Sequence, residues 1–291
     1  MSGIRTPTIF RGNYMENSWE IFNGDAVATL KKLPSETYDC VVTSPPYFWL
    51  RDYGMPGQIG LEDSVDGFVN SICDVMDEVQ RVMKKTGLLF LNLGDTYYSG
   101  KGQSKGIDRK SSKRRFGLRA VDKSGGLGIG IEPKSLIGIP WRVSIEMLKR
   151  GWCLRSQIIW YRKAALPESV LDRPRRSYEP LLMFSKSKKY YFNRAPLDLT
   201  EQEDMWTIIA RPKNAIGLGT APYPDELVER CLDVGCPEKG TVLDPFMGSG
   251  TTLRVALEKG RNAVGIDLSS NFCQFVKKEL VELGSHNVLE F

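Results

Sequence analysis

The chain has 291 residues, of which 41% are hydrophobic, 10% aromatic and 26% charged, and its formal net charge is +5. This composition predicts a globular protein with a sizeable core, in one large or two small domains, and excludes a disordered chain. No apolar run approaches the roughly 20 residues that cross a bilayer, and the N-terminal stretch carries no secretory signal, so we expect a cytoplasmic protein without membrane spans.

The first third of the chain alternates strands and helices. Strands are predicted at residues 19–22 and 38–43, with a helical pattern between them. Apolar residues recur with helical spacing over residues 65–83, which predicts a long amphipathic helix that Lys84 to Gly87 would close before a buried strand. The alternation predicts an α/β sheet with parallel strands.

Two basic segments follow in the middle of the chain. Residues 99–134 hold ten Lys or Arg against three Asp or Glu, and residues 149–194 hold twelve against three. Residues 99–132 predict a long mobile loop, and a second basic stretch, 162–176, separates two further strands. Such an asymmetry is typical of proteins that bind a polyanion, because neutralising phosphates releases counterions. The alternative is a basic surface that is only solvated.

The last third predicts one complete βαβ unit. A helix at residues 224–234 precedes a buried strand at 241–244, and a glycine turn then opens a helix. The next strand ends in Asp267, 23 residues after Asp244. This is a nucleotide-binding arrangement, in which glycines allow close approach to the backbone and the acid accepts the ribose hydroxyls.

The turn favours adenosine without phosphates. A P-loop needs a lysine after its last glycine, but Gly250 is followed by Thr251, and a dinucleotide fingerprint needs a small residue where Leu253 stands. S-adenosylmethionine is the common ligand of this kind. The alternative is a tight turn without a chemical role.

Cysteine and histidine usage excludes other chemistries. The six cysteines form no C-x-x-C pair, and the only histidine is His286, so Ser-His-Asp triads and H-E-x-x-H metal sites are absent from the sequence. No metal site is expected.

A second motif, Ser44-Pro45-Pro46-Tyr47, directly follows a predicted buried strand. The two prolines restrict the backbone, so the Ser44 hydroxyl and the nearby carbonyls are held in place. Such an acceptor cluster could bind a planar group that carries an exocyclic amine, with Tyr47 stacked on the ring. The alternative is a proline turn that only ends a strand.

Together the two motifs resemble the amino-group DNA methyltransferases of the beta arrangement, in which a D/N/S-P-P-Y/F motif precedes the S-adenosylmethionine motif. The resemblance extends over nearly the whole chain, with one departure at Gly219, where family members often carry histidine. It implies a circularly permuted Rossmann-like S-adenosylmethionine-dependent methyltransferase fold, with a mostly parallel sheet and helices on both faces. It also implies a single catalytic domain over residues 1–291, with a target-recognition segment at about 162–215.

By this resemblance, Ser44, Pro45, Pro46 and Tyr47 are catalytic. Asp267 would hold the ribose and Asp25 the adenine amine, although Asp25 could instead cap a helix. The remaining cofactor residues implied by the resemblance are Ala221, Asp244, Phe246, Gly248, Ser249, Gly250, Thr251 and Thr252. The DNA contacts expected in the basic segments are Arg114, Arg115, Arg173, Arg175 and Arg176.

The activity implied is transfer of a methyl group from S-adenosylmethionine to the N4 amine of a flipped cytosine in double-stranded DNA. Serine at the first position of the motif is associated with N4-cytosine in this family, and aspartate more with N6-adenine. N6-adenine methylation is therefore the alternative, and an RNA substrate or an inactive DNA-binding module on the same fold stays open. Candidate protein partners are a second copy of the chain and a cognate restriction endonuclease that acts on the same site.

Overall fold

The computed structural model describes residues 7–98, 131–163, 170–198, 203–209 and 222–285. These residues form nine strands and six helices, numbered in chain order. The strands are β1 (Thr8–Tyr14), β2 (Asn17–Asn23), β3 (Tyr38–Thr43), β4 (Met83–Asn92), β5 (Cys153–Lys163), β6 (Tyr178–Ser185), β7 (Met205–Ile209), β8 (Thr241–Asp244) and β9 (Asn262–Asp267). The helices are α1 (Ala26–Leu30), α2 (Val65–Val82), α3 (Ile139–Lys149), α4 (Asp225–Gly235), α5 (Thr251–Glu258) and α6 (Ser270–Ser285).

The nine strands form one sheet with the order β1-β2-β9-β8-β3-β4-β6-β5-β7. The five strands from β2 to β4 in this order are parallel, as are β5 and β7, whereas β1 and β6 are antiparallel to their neighbours. The mostly parallel sheet predicted from the sequence is confirmed. Strands β8 and β9 are last in the chain but lie inside the sheet, which is the circular permutation that the resemblance implied.

The chain changes direction across the sheet between β3 and β8. From β3 it continues to β4 on one side, and from β8 it continues to β9 on the other side. In open α/β sheets, connections that diverge in this way leave a crevice beyond the carboxyl ends of the two strands, and ligands bind there. The residues that follow β3 and β8 are therefore expected to line a ligand site.

Apolar side chains are buried on both faces of the sheet. Leu227 of α4 and Val276 of α6 belong to the same buried cluster as Val242 of β8. Val41 and Leu243 point to the opposite face, because side chains alternate along a strand, and both are 0% exposed. Since both faces are covered, each strand of the centre can be apolar throughout, as a parallel sheet requires.

The predicted end of the long helix was wrong. Helix α2 ends at Val82, and Lys84 to Gly87 belong to β4. Lys84 Nζ binds the Asp39 carboxylate at 2.8 Å, and the backbone of Met83 pairs with β3, so the basic residues lengthen a strand. Strands β1 and β7 were not predicted.

The chain divides into two compact units. The first comprises Met1–Ser44, Glu78–Asn92 and Trp152–Phe291, and it contains the whole described sheet. The second comprises Pro45–Asp77 and Leu93–Gly151. No helix among the described residues is both long enough and apolar enough to span a membrane.

Within the second unit, a charged cluster joins α2 to the end of α3. Arg150 Nη1 contacts the carboxylates of Asp74 and Asp77, each at 2.8 Å, and Arg150 Nε contacts Glu146 at 3.2 Å. Phe48 packs against Phe68 with ring centroids 5.2 Å apart. These contacts join residues 65–77 of α2 to α3 and to the segment after Tyr47 within the second unit.

Candidate active site

Polar residues stand at the carboxyl ends of four neighbouring parallel strands of the first unit. In sheet order they are Asp25 after β2, Asp267 at the end of β9, Asp244 at the end of β8 and Ser44 after β3. Adjacent strands lie about 4.8 Å apart, so two strand spacings separate Asp267 from Ser44 by about 10 Å along the sheet. Asp25, Asp267, Asp244 and Ser44 therefore share one edge of the sheet.

The glycine turn between β8 and α5 is compact and adopts left-handed backbone at two positions. Gly248 has φ 51° and Gly250 has φ 81°, which non-glycine residues rarely adopt. A Cβ atom on Gly250 would lie 2.6 Å from Cγ1 of Val276, so α6 also requires glycine there. Met247 N–H donates to the Ile266 carbonyl at 3.0 Å and ties the turn to β9.

Only part of this turn is accessible. Phe246, Gly248 and Ser249 are partly exposed, whereas Gly250 is buried. Thr251 and Thr252 are 9% and 1% exposed. A ligand at this edge would therefore meet the first group of residues, while the second group shapes the turn from within.

Asp267 is held by two backbone donors. Gly248 N–H donates to Oδ2 at 2.9 Å and Ser269 N–H donates to Oδ1 at 2.8 Å. Burial raises the pKa of the Asp267 carboxyl to about 6, although both donors favour the charged form. A carboxylate has about four acceptor positions, so two remain for a ligand. This geometry fits the two hydroxyls of a ribose.

Asp25 caps α1, which was the alternative interpretation of this residue. Its Oδ1 accepts a hydrogen bond from Ala28 N–H at 2.8 Å. Gly24 N–H donates to the Asp267 carbonyl at 2.9 Å, so the segment that carries Asp25 is attached to the end of β9. The cap uses one carboxylate oxygen, and the adenine contact stays a prediction.

Asp244 is fully enclosed by protein donors. Thr43 Oγ1–H donates to Oδ1 at 2.7 Å and Phe246 N–H donates to Oδ1 at 3.0 Å. On Oδ2 the partners are Thr252 Oγ1 at 2.7 Å and Tyr223 Oη at 3.1 Å, and these two hydroxyls also contact each other. We call Thr43, Tyr223, Asp244 and Thr252 the Asp244 cluster.

Burial raises the pKa of the Asp244 carboxyl, and the hydrogen bonds from Thr252, Thr43, Phe246 and Tyr223 oppose that increase. The pKa of the Tyr223 hydroxyl is also raised well above its usual value, first by burial and then by the Asp244 charge. In this structure Asp244 and Thr252 are bonded to protein. Sequence reasoning did not identify Thr43, because 201 residues separate it from Asp244.

The Ser44-Pro45-Pro46-Tyr47 motif begins where β3 ends. Ser44 and Tyr47 are partly exposed, and Pro45 is buried. Ser44 is the last residue of its segment in the first unit, and Pro45 is the first residue of the second. The hydroxyl of Ser44 is therefore carried by the sheet, directly after Thr43.

Within the second unit the Tyr47 ring lies against Gly94. A Cβ atom on Gly94 would lie 2.3 Å from Cε2 of Tyr47, so only glycine permits this ring position. Beyond the motif, Trp49 has φ 49°, and its backbone N–H donates to the Gly60 carbonyl at 2.7 Å. Trp49 Nε1–H donates to the Glu62 carbonyl, also at 2.7 Å.

Asp95, which follows Gly94, anchors α3 within the same unit. Its carboxylate accepts hydrogen bonds from Gly138 N–H at 3.0 Å and Ile139 N–H at 3.0 Å, at the start of the helix. It also accepts from Thr96 N–H at 2.8 Å. A carboxylate at a helix N-terminus is favourable, and here it fixes the backbone on which the Tyr47 ring rests.

The structure divides the expected recognition segment between two edges of the sheet. Because β5 has the direction of β4, the segment of residues 170–177, which leads into β6, lies at the same edge as Ser44, whereas residues 164–169 lie outside the described residues. It carries the partly exposed Arg173 and Arg176 and the exposed Arg175. Residues 186–198, which follow β6, lie at the opposite edge. Ala221, Arg114 and Arg115, together with residues 99–130 of the basic loop, lie outside the described residues.

No group of three or more His, Cys, Asp or Glu residues that could hold a metal is found among the described residues. Burial raises the pKa of the Cys73 and Cys273 thiols to about 12, and it raises that of Cys40 and Cys231 well above the usual value. Such thiols are poor nucleophiles.

The chain is similar to known proteins over most of its length. Residues 38–278 match the family model described as DNA methylase. The Type II methyltransferase M.XycI of Xanthomonas campestris pv. cyanopsidis is 40% identical over 273 residues, which cover 91% of this chain and 87% of that protein.

Two solved structures share the fold. The PvuII DNA methyltransferase (cytosine-N4-specific) has a TM-score of 0.68 at 17% identity and covers 92% of each chain. The putative DNA modification methylase TTHA0409 of Thermus thermophilus, complexed with S-adenosyl-L-methionine, has a TM-score of 0.59 at 23% identity and covers 90% of this chain and 94% of that chain.

Proposed function

Because the chain belongs to the DNA methylase family, with S-adenosylmethionine as its methyl donor, we propose that it methylates the exocyclic N4 amine of a cytosine in double-stranded DNA. The observation that carries this proposal is the placement of Ser44 beside the glycine turn. Thr43 immediately before it is bonded to Asp244 immediately before the turn, at 2.7 Å. The amine acceptor and the cofactor residues then meet at the crevice between β3 and β8.

The chemistry requires the protein to make a poor nucleophile react. The lone pair of a cytosine amine is delocalised into the ring, so acceptors must draw the two amine hydrogens out of the ring plane. The Ser44 oxygen and the Pro45 carbonyl are the acceptors we propose, and Tyr47 stacks on the base. When bound, S-adenosylmethionine supplies a methyl group on a sulfonium, toward which the amine must be aligned at about 3 to 3.5 Å.

The cysteine environment agrees with direct transfer to an amine. Methylation at C5 of cytosine needs a cysteine nucleophile in a Pro-Cys pair, which the sequence lacks. Cys236-Pro237 has the reverse order and follows α4. The pKa of the Cys236 thiol is lowered, first by a hydrogen bond with Cys40, but its side chain is 0% exposed and lies next to the start of β8. The start of β8 lies at the edge of the sheet opposite Ser44, so the Cys236 thiol does not face the proposed base.

We assign cofactor contacts to the accessible residues of the edge. Asp267 would accept the ribose hydroxyls, and the free oxygen of Asp25 would accept the adenine amine. Phe246, Gly248 and Ser249 would line the cofactor, because they are the partly exposed part of the turn. The buried Gly250, Thr251 and Thr252, with Asp244, would support the turn from inside.

DNA contact is assigned to the connection at the edge of Ser44. A base must leave the duplex to reach a pocket of this kind, at a cost of a few kcal/mol, and phosphate contacts offset that cost. Arg175 is exposed there, while the Arg176 carbonyl accepts a hydrogen bond from Arg162 Nη2 at 3.0 Å. This bond braces the basic connection against β5.

Cytosine is favoured over adenine by Ser44, since serine at this position is associated with N4-cytosine in the family. The similarity in fold to a cytosine-N4-specific enzyme, at 17% identity, indicates a shared fold but does not indicate which base is methylated. The choice of base therefore rests on one residue of this chain.

The test is transfer of a labelled methyl group to unmodified duplex DNA, followed by mass spectrometry of the nucleosides. We expect N4-methylcytosine. N6-methyladenine would overturn the choice of base, and transfer to RNA in preference to duplex DNA would overturn the choice of substrate. Absence of methyl transfer to both duplex DNA and RNA would indicate a DNA-binding module without activity.

The role of Ser44 is tested by Ser44→Ala, with Ser18→Ala on the exposed side of β2 as the matched control. Loss of one preorganised hydrogen-bonding group typically lowers kcat by about 10²-fold. We expect a loss of this size for Ser44→Ala and none for Ser18→Ala. Unchanged transfer by Ser44→Ala would refute its assignment as an acceptor.

A further inference from the structure

Backbone pairing between β3 and β8 stops before either strand reaches the site. The register pairs are Cys40 with Val242 and Val41 with Leu243, and no later pair joins these strands. On its other side β3 stays paired with β4 as far as Thr43. The ends of β3 and β8 are therefore not joined to each other by the sheet, which is what opens the crevice between them.

A side-chain hydrogen bond spans this gap. Thr43 Oγ1–H donates to Oδ1 of Asp244 at 2.7 Å, and both residues are almost fully buried, at 0% and 1% exposed. Thr43 is followed directly by Ser44, and Asp244 is two residues before Phe246. The bond therefore connects the residue before Ser44 to the last residue of β8.

The other carboxylate oxygen of Asp244 completes the connection. It accepts from Thr252, at the start of α5, and from Tyr223, in the segment that leads to α4. Thr252 Oγ1 also lies 3.4 Å from the Val42 carbonyl of β3. Oδ1 thus has two protein donors, and two hydroxyls that also contact each other lie within hydrogen-bonding distance of Oδ2. Asp244 is 1% exposed, so its carboxylate is enclosed by protein.

We infer that Thr43 is a positioning residue, which acts through Asp244 to hold Ser44 in place relative to the glycine turn. Methyl transfer is sensitive to such placement, because a shift of about 1 Å in a reacting group can cost about 10²-fold in rate. The inference rests on the proposed methylation of an amine held by Ser44. It assigns to the Asp244 cluster a role in alignment rather than direct contact with the cofactor.

The central variant is Thr43→Val, which removes the hydroxyl and keeps the shape. We expect kcat for methyl transfer to fall by about 10-fold to 100-fold, while the KM for S-adenosylmethionine changes by less than about threefold. Thr43→Ser keeps the donor, and we expect it to restore kcat to within about threefold of the unaltered chain. Thr37→Val, the same change just before the start of β3, is the matched control and should have no effect.

A double-mutant cycle separates alignment through Asp244 from a general loss of structure. The hydroxyls of Thr43 and Tyr223 bind different oxygens of Asp244. If both act through this carboxylate, the loss of kcat in Thr43→Val with Tyr223→Phe will be smaller than the product of the two single losses. If the two substitutions acted independently, the two single losses of kcat would multiply in the double variant.

The outcomes are distinguishable from failure of the proposed function. An unaltered chain without methyl transfer would overturn the function itself. An active chain in which Thr43→Val keeps full kcat, or in which Thr43→Ser fails to restore it, would overturn the inference alone. If Thr43→Val does not fold, Thr43→Cys, a weaker donor of similar size, replaces it, and kcat equal to that of the unaltered chain would again overturn the inference.

Discussion

Substitution of Gly94 should disturb catalysis through the Tyr47 ring. In the structure a Cβ atom at position 94 would lie 2.3 Å from Cε2 and 2.8 Å from Cδ2 of that ring. Ordinary van der Waals contact begins at 3.4 Å, so Gly94→Ala requires a displacement of 3.4 − 2.3 = 1.1 Å. The adjacent backbone is anchored by Asp95 to the start of α3, so we expect the ring to move rather than the chain.

A displacement of this size in a group that orients the base can cost about 10²-fold in rate. We therefore expect Gly94→Ala to lower the single-turnover rate of methyl transfer by about that factor. Affinity for S-adenosylmethionine, measured by calorimetry, should stay within about threefold, since the cofactor residues belong to the other unit. Gly284→Ala in α6, where a Cβ atom would meet only Asn13 O at 3.6 Å, is the matched control.

The decisive comparison is made in a chain that lacks the ring. In Tyr47→Ala the clash at position 94 is removed, so Gly94→Ala should then cost little further activity. If Gly94→Ala lowers the rate by the same factor with and without the Tyr47 ring, the reasoning is refuted, because the effect would not pass through that side chain.

Three further results are expected. Burial raises the pKa of Asp267 to about 6, so its carboxylate becomes protonated as the pH falls through that value. Calorimetry should therefore show that affinity for S-adenosylmethionine falls about tenfold per pH unit below pH 6. Asp267→Asn should abolish this pH dependence. Gly250→Ala, at φ 81° and with its Cβ 2.6 Å from Val276, should lower the free energy of unfolding by about 3 kcal/mol in a denaturant titration. Arg175→Ala should weaken DNA binding in a fluorescence titration and reduce the slope of log affinity against log salt by about 1, whereas Arg11→Ala on β1 should not.

The βαβ unit at the end of the chain could be predicted because its signals are local. A short apolar strand, the glycine turn and the following helix occupy consecutive residues, and the observed β8, α5 and β9 agree with the prediction within one or two residues. Strand β7 gave no comparable signal. It has only five residues, of which Trp206 and Ile208 are buried, and so short an alternation is a weak strand signal.

The misplaced end of α2 has a different physical origin. Lys84 to Gly87 have the composition of a helix terminus, but the ion pair between Lys84 and Asp39 and the pairing of Met83 with β3 favour a strand. A Cβ atom on Gly87 would lie 3.0 Å from the Asp39 carbonyl, so this glycine serves a close approach of two strands. Tertiary contacts overrode the local preference here, as they did at the Asp244 cluster, whose members are far apart in sequence.

The strand order explains why a permuted chain can retain the chemistry. Permutation moves the chain ends but leaves the neighbours of each strand unchanged, so β2, β9, β8 and β3 still present their residues side by side. Strands β3 and β8 are neighbours in the sheet, although some 200 residues of chain separate their ends. A buried hydrogen bond from Thr43 to Asp244 connects them at the point where backbone pairing has ended. The alignment of acceptor and cofactor residues therefore depends on side-chain chemistry that the order of the chain does not supply.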